Sequence, residues 1–286
     1  MSDNVSGSIV FRSCTILRCN RSVILVRKQV VSNITQLLLK GSSVAYDEVG
    51  IGKPIVFVHG ACENSAFWNH QRILSDRFRI ITIDLPGHGR SSPLSREIEI
   101  KNYSEVVSEF VSRTCHEKPI LVGHSMGGAI TLLNAIEHPT SLKGVVLVCS
   151  GAKLGVLPSI REGLRSRFGE TVKAVVGPRQ FSSKTNLETI RFVTNEILKC
   201  NNGIAASDYE ACNSFDVRQK LQSIVLPVLI IAGEEDKMTP VSWSSYLKEN
   251  IPKSKLVVMR DASHLPMLER PGEFNRHLIE FASSLD

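Results

Sequence analysis

One stretch, Pro119-Ile120-Leu121-Val122-Gly123-His124-Ser125-Met126-Gly127-Gly128, restricts the fold of this chain more than any other. An aliphatic, β-branched run passes through a glycine-bracketed serine straight into Ala129–Ile136, whose residues favour a helix and carry apolar spacing. The pattern predicts a strand, a tight turn with Ser125 at its apex, and a helix. At such an apex the central residue is strained and neighbouring segments approach closely. Small residues are therefore needed two before and two after it, where Gly123 and Gly127 stand. The turn would lift the Ser125 hydroxyl above the sheet, and the first amides of the following helix would face an anion formed beside it. A nucleophilic serine has these requirements.

The remaining chain supplies a sheet for such a turn. Ile55–Val58, Arg79–Ile83, Val145–Val148, Val228–Ala232 and Lys255–Met259 are short apolar runs of the kind buried on both faces. Helical patterns separate them: Ser65–Phe78, with Trp68, Ile73 and Leu74 on its apolar face, Ser104–Cys115, and a last helix Pro271–Ser283 that begins with proline. This alternation implies an α/β fold, a mostly parallel sheet flanked by helices, with ligands bound beyond the carboxyl ends of the strands. Leu37–Leu39 and Val44–Tyr46, joined through Gly41, read as a leading hairpin. Residues 151–216 lack buried-strand runs and carry helical segments at Ser159–Phe168, Glu170–Val176, Asn186–Lys199 and Ala205–Asn213. That span is long for a connection, so a helical lid is expected there, inserted into a core of residues 34–150 and 217–286.

At 286 residues, 42% hydrophobic and 22% charged, the chain can bury such a core. The net charge of +6 raises the question of nucleic acid. However, Arg12, Arg18, Arg21, Arg27, Lys28 and Lys40 face only Asp3 within residues 1–40, so the body beyond is nearly neutral and offers no phosphate-tracking surface. No apolar run approaches the ~18 residues that cross a bilayer. Residues 1–33, basic and rich in Ser, Val and Ile, read as a poorly ordered or processed extension, with organellar targeting as the alternative. Seven cysteines without a CxxC pair argue against a disulfide framework or zinc site and for reduced thiols in a cytoplasmic compartment. A monomer or homodimer is expected.

A serine hydroxyl needs a base within hydrogen-bond reach, and the base needs an orienting partner. His264, in the loop after the last strand, is the best base, and Asp236, in the loop after Val228–Ala232, the best orienter, with Glu235 and Asp216 as rivals. His59 and His88 read as structural hydrogen-bonding residues, Asp84 as a loop-stabilising carboxylate, and His124 as pointing away from its neighbour Ser125. Trp68, Met126 and Leu265 are candidates for apolar walls of the substrate pocket. Cys62 is either a packed bystander or a source of thiol sensitivity. No GxGxxG, no Walker sequence and no metal-spaced cluster appears, so no cofactor is expected.

Residues from about 34 to 284 resemble the α/β-hydrolase superfamily, particularly its small lidded carboxylesterase-like members. The resemblance is carried by His59-Gly60, the DxPGHGxS loop Asp84–Ser91, the GHSMGG turn Gly123–Gly128, the GxxD segment Gly233–Asp236, and the ending Asp261–His264, a serine-containing variant of GxxH. It implies Ser125 as nucleophile, Asp236 as acid, His264 as base, and the backbone amides of Ala61 and Met126 as an oxyanion hole. Those amides have an independent rationale, since attack on an acyl carbon places a full negative charge on oxygen. The expected activity is hydrolysis of small to medium carboxylic esters through an acyl-enzyme. Amide, thioester, lactone or carbon–carbon bond hydrolysis, metal-free perhydrolysis, and a non-catalytic ligand receptor on the same fold stay open.

Overall fold

The structure, a computed structural model, describes residues 9–12, 15–19, 22–26, 29–32 and 35–285. In the leading segment, where the sequence suggests no elements, β1 (Ile9–Arg12) pairs antiparallel with β4 (Gln29–Ser32), and β2 (Thr15–Cys19) with β3 (Ser22–Val26). The expected processing or disorder of residues 1–33 falls partly outside the described residues.

Eight strands build the central sheet: β5 (Thr35–Leu39), β6 (Ser42–Val49), β7 (Pro54–Val58), β8 (Arg79–Ile83), β9 (Ile120–His124), β10 (Gly144–Val148), β11 (Val228–Gly233) and β12 (Ser254–Met259). Their order is β12-β11-β10-β9-β7-β8-β6-β5. The expected hairpin β5–β6 and the pair β6–β8 are antiparallel, and every other pairing is parallel. All residues of β7, β9, β10 and β11 are buried, which explains their unbroken apolar character. After β7 the chain winds to one side through β8, then returns to place β9 on the other side of β7. This reversal opens a crevice beyond the carboxyl ends of β7 and β9, where a parallel sheet binds ligands.

Helices α1 (Ile100–Thr114) and α2 (Met126–Glu137) flank the switch point. The segment after β7 is not an α-helix but a 3-10 helix, Ser65–Asp76. Three residues per turn put Ser65, Trp68, Gln71 and Leu74 on one buried face, which leaves Ile73, expected inside, 73% exposed.

The insertion between β10 and β11 holds α3 (Pro158–Ser166), α4 (Phe168–Thr171), a π-helical turn over Val172–Val176, α5 (Gly177–Gln180), α6 (Leu187–Ile197) and α7 (Asn202–Ser214). Its two ends meet at a bridge between Lys153 and Asp216, with Val217 N donating to Ala152 O at 2.8 Å. After β11 come α8 (Val241–Asn250), then β12, α9 (Pro266–Glu269) and α10 (Pro271–Ser283). Among the described residues no helix is long and apolar enough to cross a membrane.

Candidate active site

Ser125 sits between β9 and α2 at φ 51° and ψ −114°, a conformation that L-residues avoid. Packing enforces it. A Cβ on Gly123 would lie 2.1 Å from the Gly127 carbonyl oxygen, and one on Gly127 would lie 2.4 Å from Val58 O at the end of β7. Both glycines are therefore dictated by the closeness of α2 to β9 and β7, and the strain at Ser125 is sustained by the buried sheet beneath it. The serine side chain caps nothing at the start of α2, so its hydroxyl remains available.

Asp236 and His264 come from the loops after β11 and β12. His264 Nδ1 donates to Asp236 Oδ2 at 2.9 Å, while Thr239 Oγ1 donates to the same oxygen at 2.7 Å. Asp236 Oδ1 accepts from Met238 N at 2.7 Å and Thr239 N at 2.9 Å. Burial pushes the Asp236 carboxyl up, but His264 and the Thr239 donors outweigh it and hold the group below its ordinary value. Burial likewise disfavours the His264 imidazolium, yet the charge and hydrogen bond of Asp236, helped by Glu63 and Glu269, raise its pKa above 6.5. The two rivals lie elsewhere. Glu235 accepts from Ser183 N at 2.8 Å, and Asp216 is tied to Arg218 at the surface, which pulls it down to about 2.

Ser125, His264 and Ala61 border one cavity of about 250 Å³. Among the described residues neither the Ser125 hydroxyl nor His264 Nε2 has a hydrogen-bond partner, and a serine–histidine bond of this kind commonly tightens only when substrate is bound. The backbone amides of Ala61 and Met126 also donate to no acceptor among the described residues. Two free N–H groups flanking the nucleophile are what a developing oxyanion requires. Cys149, Asp236 and His264 offer ligand atoms within 4.8 Å of one another. However, Asp236 already accepts from four donors and burial pushes the Cys149 thiol far up, so the trio presents neither an open carboxylate nor a ready thiolate to a metal.

The cavity walls are not the expected ones. Trp68 is fully buried beneath β7, its ring 4.9 Å from that of Phe57 and 6.2 Å from that of Phe274, and Leu265 is equally enclosed in the core below the His264 loop. Met126 does not line the cavity, and its side chain is fully buried in the core. The apolar lining comes instead from the start of the insertion, Leu154, Val156, Leu157 and Ile160, and from Met238 and Trp243. Gln180 of α5 and Tyr209 of α7 also line it, and Arg179 and Lys237 bring two cations that have no ion-pair partner among the described residues.

Two residues without a sequence signal of their own fix the loop that carries Ala61. Buried Glu63 accepts from Gly60 N at 2.7 Å and is 3.0 Å from His124 Nδ1, while His124 Nε2 donates to His264 O at 2.8 Å. His124 thus points away from Ser125, as neighbouring side chains on a strand must, and clasps the His264 loop to the Ala61 loop. Asp208, buried on α7, accepts from Cys62 N at 3.1 Å, from Tyr103 Oη at 3.0 Å and from His88 Nε2 at 2.8 Å. Burial works against charge on His88, but the Asp208 carboxylate raises its pKa well above the ordinary value. The pair is a buried ion pair, the kind whose rupture costs about 3–5 kcal/mol, and it pins the helical insertion to the core. A carboxylate on the stripe Ala205, Asp208, Tyr209, Cys212 is the one signal that could have found Asp208, and it went unread. His59 is neutral, pushed down to about 4 chiefly by burial. Its Nδ1 donates to Gly60 O and its Nε2 accepts from Leu85 N, while Asp84 ties Ser65 N to the Arg90 guanidinium.

Residues 53–271 match the family described as alpha/beta hydrolase fold. The chain is 29% identical over 238 residues, 77% of its own length and 90% of the relative's, to the pimeloyl-[acyl-carrier protein] methyl ester esterase of Wigglesworthia glossinidia brevipalpis. It is 28% identical to the same-named esterase of Aeromonas hydrophila subsp. hydrophila, covering 81% of this chain and 96% of that one. A thermophilic esterase superposes with a TM-score of 0.79 at 30% identity, over 88% of this chain and 97% of the other. An N-acyl homoserine lactone degrading enzyme, Est816, gives a TM-score of 0.79 at 27% identity, over 86% of this chain and 100% of that one. The chain belongs to the alpha/beta-hydrolase fold family and is an esterase-like hydrolase.

Proposed function

We propose that this chain is a serine hydrolase that cleaves small to medium carboxylic esters through an acyl-enzyme on Ser125. The observation that carries the reading is the convergence on one cavity of a strained, uncommitted serine, an Asp236-oriented His264 and Ala61, whose amide, like that of Met126 next to Ser125 in the chain, has no acceptor among the described residues. His264 Nε2 takes the serine proton as Oγ attacks the acyl carbon, and the two amides receive the negative charge on oxygen. His264 then protonates the leaving alcohol, and a water activated by the same nitrogen releases the acid. Asp236 holds the Nδ1–H tautomer throughout. No step asks for a cofactor.

The pocket favours acyl or alcohol groups of modest size, because its volume lies below the ~300–1,000 Å³ of sites for drug-sized ligands. Arg179 and Lys237 favour a second, narrower reading, in which the ester carries a carboxylate or phosphate beyond the apolar wall. The relatives are named for a pimeloyl-[acyl-carrier protein] methyl ester, a methyl ester on an acyl chain borne by a protein. A series of p-nitrophenyl esters from acetate to palmitate, with monomethyl dicarboxylates beside neutral methyl alkanoates of equal length, tests both readings. Saturable turnover with a short-to-medium chain optimum is the expected result, and the narrower reading requires the dicarboxylate monoesters to have the lower KM. Absence of turnover across the whole series would refute the esterase reading.

A further inference from the structure

Two residues of the substrate cavity, Gly155 and Trp243, also border a second cavity of about 420 Å³. Gly155 stands at the start of the insertion, which Val156 N fastens to α7 by donating to Asn213 Oδ1 at 3.3 Å. Trp243 stands in the first turn of α8, where its backbone N–H donates to Pro240 O at 2.8 Å. The rest of the second wall is Ala152, Lys153, Arg218, Ser242 and Tyr246. Tyr246 follows Trp243 by three positions and so shares its face of α8. Both cations are held by Asp216, Lys153 Nζ at 3.5 Å and Arg218 Nη2 at 2.7 Å. Their charges are already answered, and their long stems can serve as apolar wall.

The two shared residues are unequal in size. A Cβ on Gly151 would lie 3.0 Å from Trp243 Cε3 and 3.5 Å from Trp243 Cβ, so the indole packs directly on the Gly151 backbone. The neighbouring Ser150 Oγ donates to Ser125 O at 2.8 Å, which places the ring against the segment that also holds the nucleophile. Gly155 is the opposite case. A Cβ there would meet nothing within 4 Å, and its φ lies outside the left-handed region. No close approach or backbone strain therefore requires glycine at 155. A bulky ring stands on one side of the junction between the cavities, and on the other side a side chain is missing.

The geometry points to Trp243 as the residue that sets the length of the ester arm this site accepts: its indole ends the substrate cavity, and the second cavity is room for a straight apolar chain that the indole withholds. The inference rests on the esterase reading and deepens it from ester hydrolysis to a length rule. A chain that stops at the ring gains nothing from further carbons. Each methylene moved from water onto an apolar wall is worth about fourfold in binding. A chain released into the second cavity by three or four carbons therefore gains on the order of 10² in kcat/KM.

The parent, Trp243→Ala and the double variant Trp243→Ala, Gly155→Leu are assayed on two series. One is p-nitrophenyl esters from butanoate to dodecanoate, and the other is acetates of straight-chain alcohols from butyl to dodecyl. The readout is the ratio of kcat/KM for the decyl-length ester to that for the butyl-length one, which a loss of folded protein does not change. Trp243→Ala is expected to raise that ratio at least about tenfold in one series, which identifies the arm that meets the ring as acyl or alcohol. Gly155→Leu, added to it, refills the junction and brings the ratio back toward the parent's. A ratio that Trp243→Ala leaves unmoved in both series would overturn the proposal, and one that Gly155→Leu does not bring back would overturn the passage of the chain into the second cavity. Calorimetric titration with straight-chain alkan-1-ols reads the same rule without turnover. Affinity is expected to stop rising with length in the parent and to go on rising in Trp243→Ala, and one plateau common to both would overturn the proposal. A shifted plateau beside no ester turnover in any variant would refute the esterase reading and leave Trp243 as the partition.

Discussion

Ser125→Ala is expected to lower ester turnover by about 10⁴–10⁶-fold, to the level left by binding and the oxyanion amides alone. The same substitution is expected to leave folding stability within about 1 kcal/mol of the parent. The reason for the second expectation is local. The Ser125 hydroxyl caps no helix and has no partner among the described residues, so removing it strands no buried donor or acceptor. Alanine keeps the Cβ and hence the strain of the positive φ, which the glycines on either side continue to accommodate. Turnover measured beside a urea titration separates the two effects. A large loss of stability would mean that Ser125 is part of the scaffold, and retained turnover would remove it from the chemistry.

Asp236→Asn is expected to cost about 10⁴ in turnover. The amide presents an N–H where His264 Nδ1 now finds an acceptor, which favours the tautomer with its proton on Nε2, the nitrogen that must take the serine proton. The pH profile provides a second readout. Turnover requires neutral His264, whose pKa Asp236 raises above 6.5, so the parent's activity rises with pH through a midpoint above that value. With the carboxylate charge gone, burial dominates and the imidazole loses its proton more easily, so the residual activity of the variant rises at lower pH than the parent's. A profile that does not move, or moves upward, would mean that another group sets the ionisation of His264. Glu63 and Glu269 are the groups placed to do so.

The sheet was legible because β7, β9, β10 and β11 are buried along their whole length, so that their sequences are unbroken apolar runs of strand length. The serine turn was legible because backbone contact on both sides forces glycine at fixed positions, and few other arrangements leave such a pattern. Asp236 and His264 could be proposed as partners because each follows a strand of the parallel sheet, and strand ends converge. What convergence does not specify is which apolar side chains face the cavity. Trp68 and Leu265 stand next to the motifs, but the three-residue period of the 3-10 helix turns Trp68 inward, and Leu265 lies under its loop. The wall is made by residues such as Val156 and Ile160 of the insertion, whose placement depends on its tertiary packing.

The residues that hold the Ala61 loop were silent for a related reason. Glu63 meets His124 across 61 positions and Asp208 meets His88 across 120, and a buried carboxylate looks in sequence like any exposed one until its partner is in place. Only the helical spacing around Asp208 set it apart. The two strand pairs of residues 9–32 were missed because their short β-branched runs are interrupted by arginines and polar residues, without the clean alternation of a half-buried hairpin.

The most direct test of the account is to treat the protein with a fluorophosphonate and locate the adduct by peptide mass spectrometry. These reagents mimic the acyl group and form a stable bond only with a serine that an adjacent base activates and an oxyanion hole receives. Stoichiometric modification of Ser125, in the peptide spanning β9 and α2, is the expected result. No adduct, or an adduct on a different residue, would contradict the assignment of Ser125, His264 and the Ala61 and Met126 amides as a working catalytic centre.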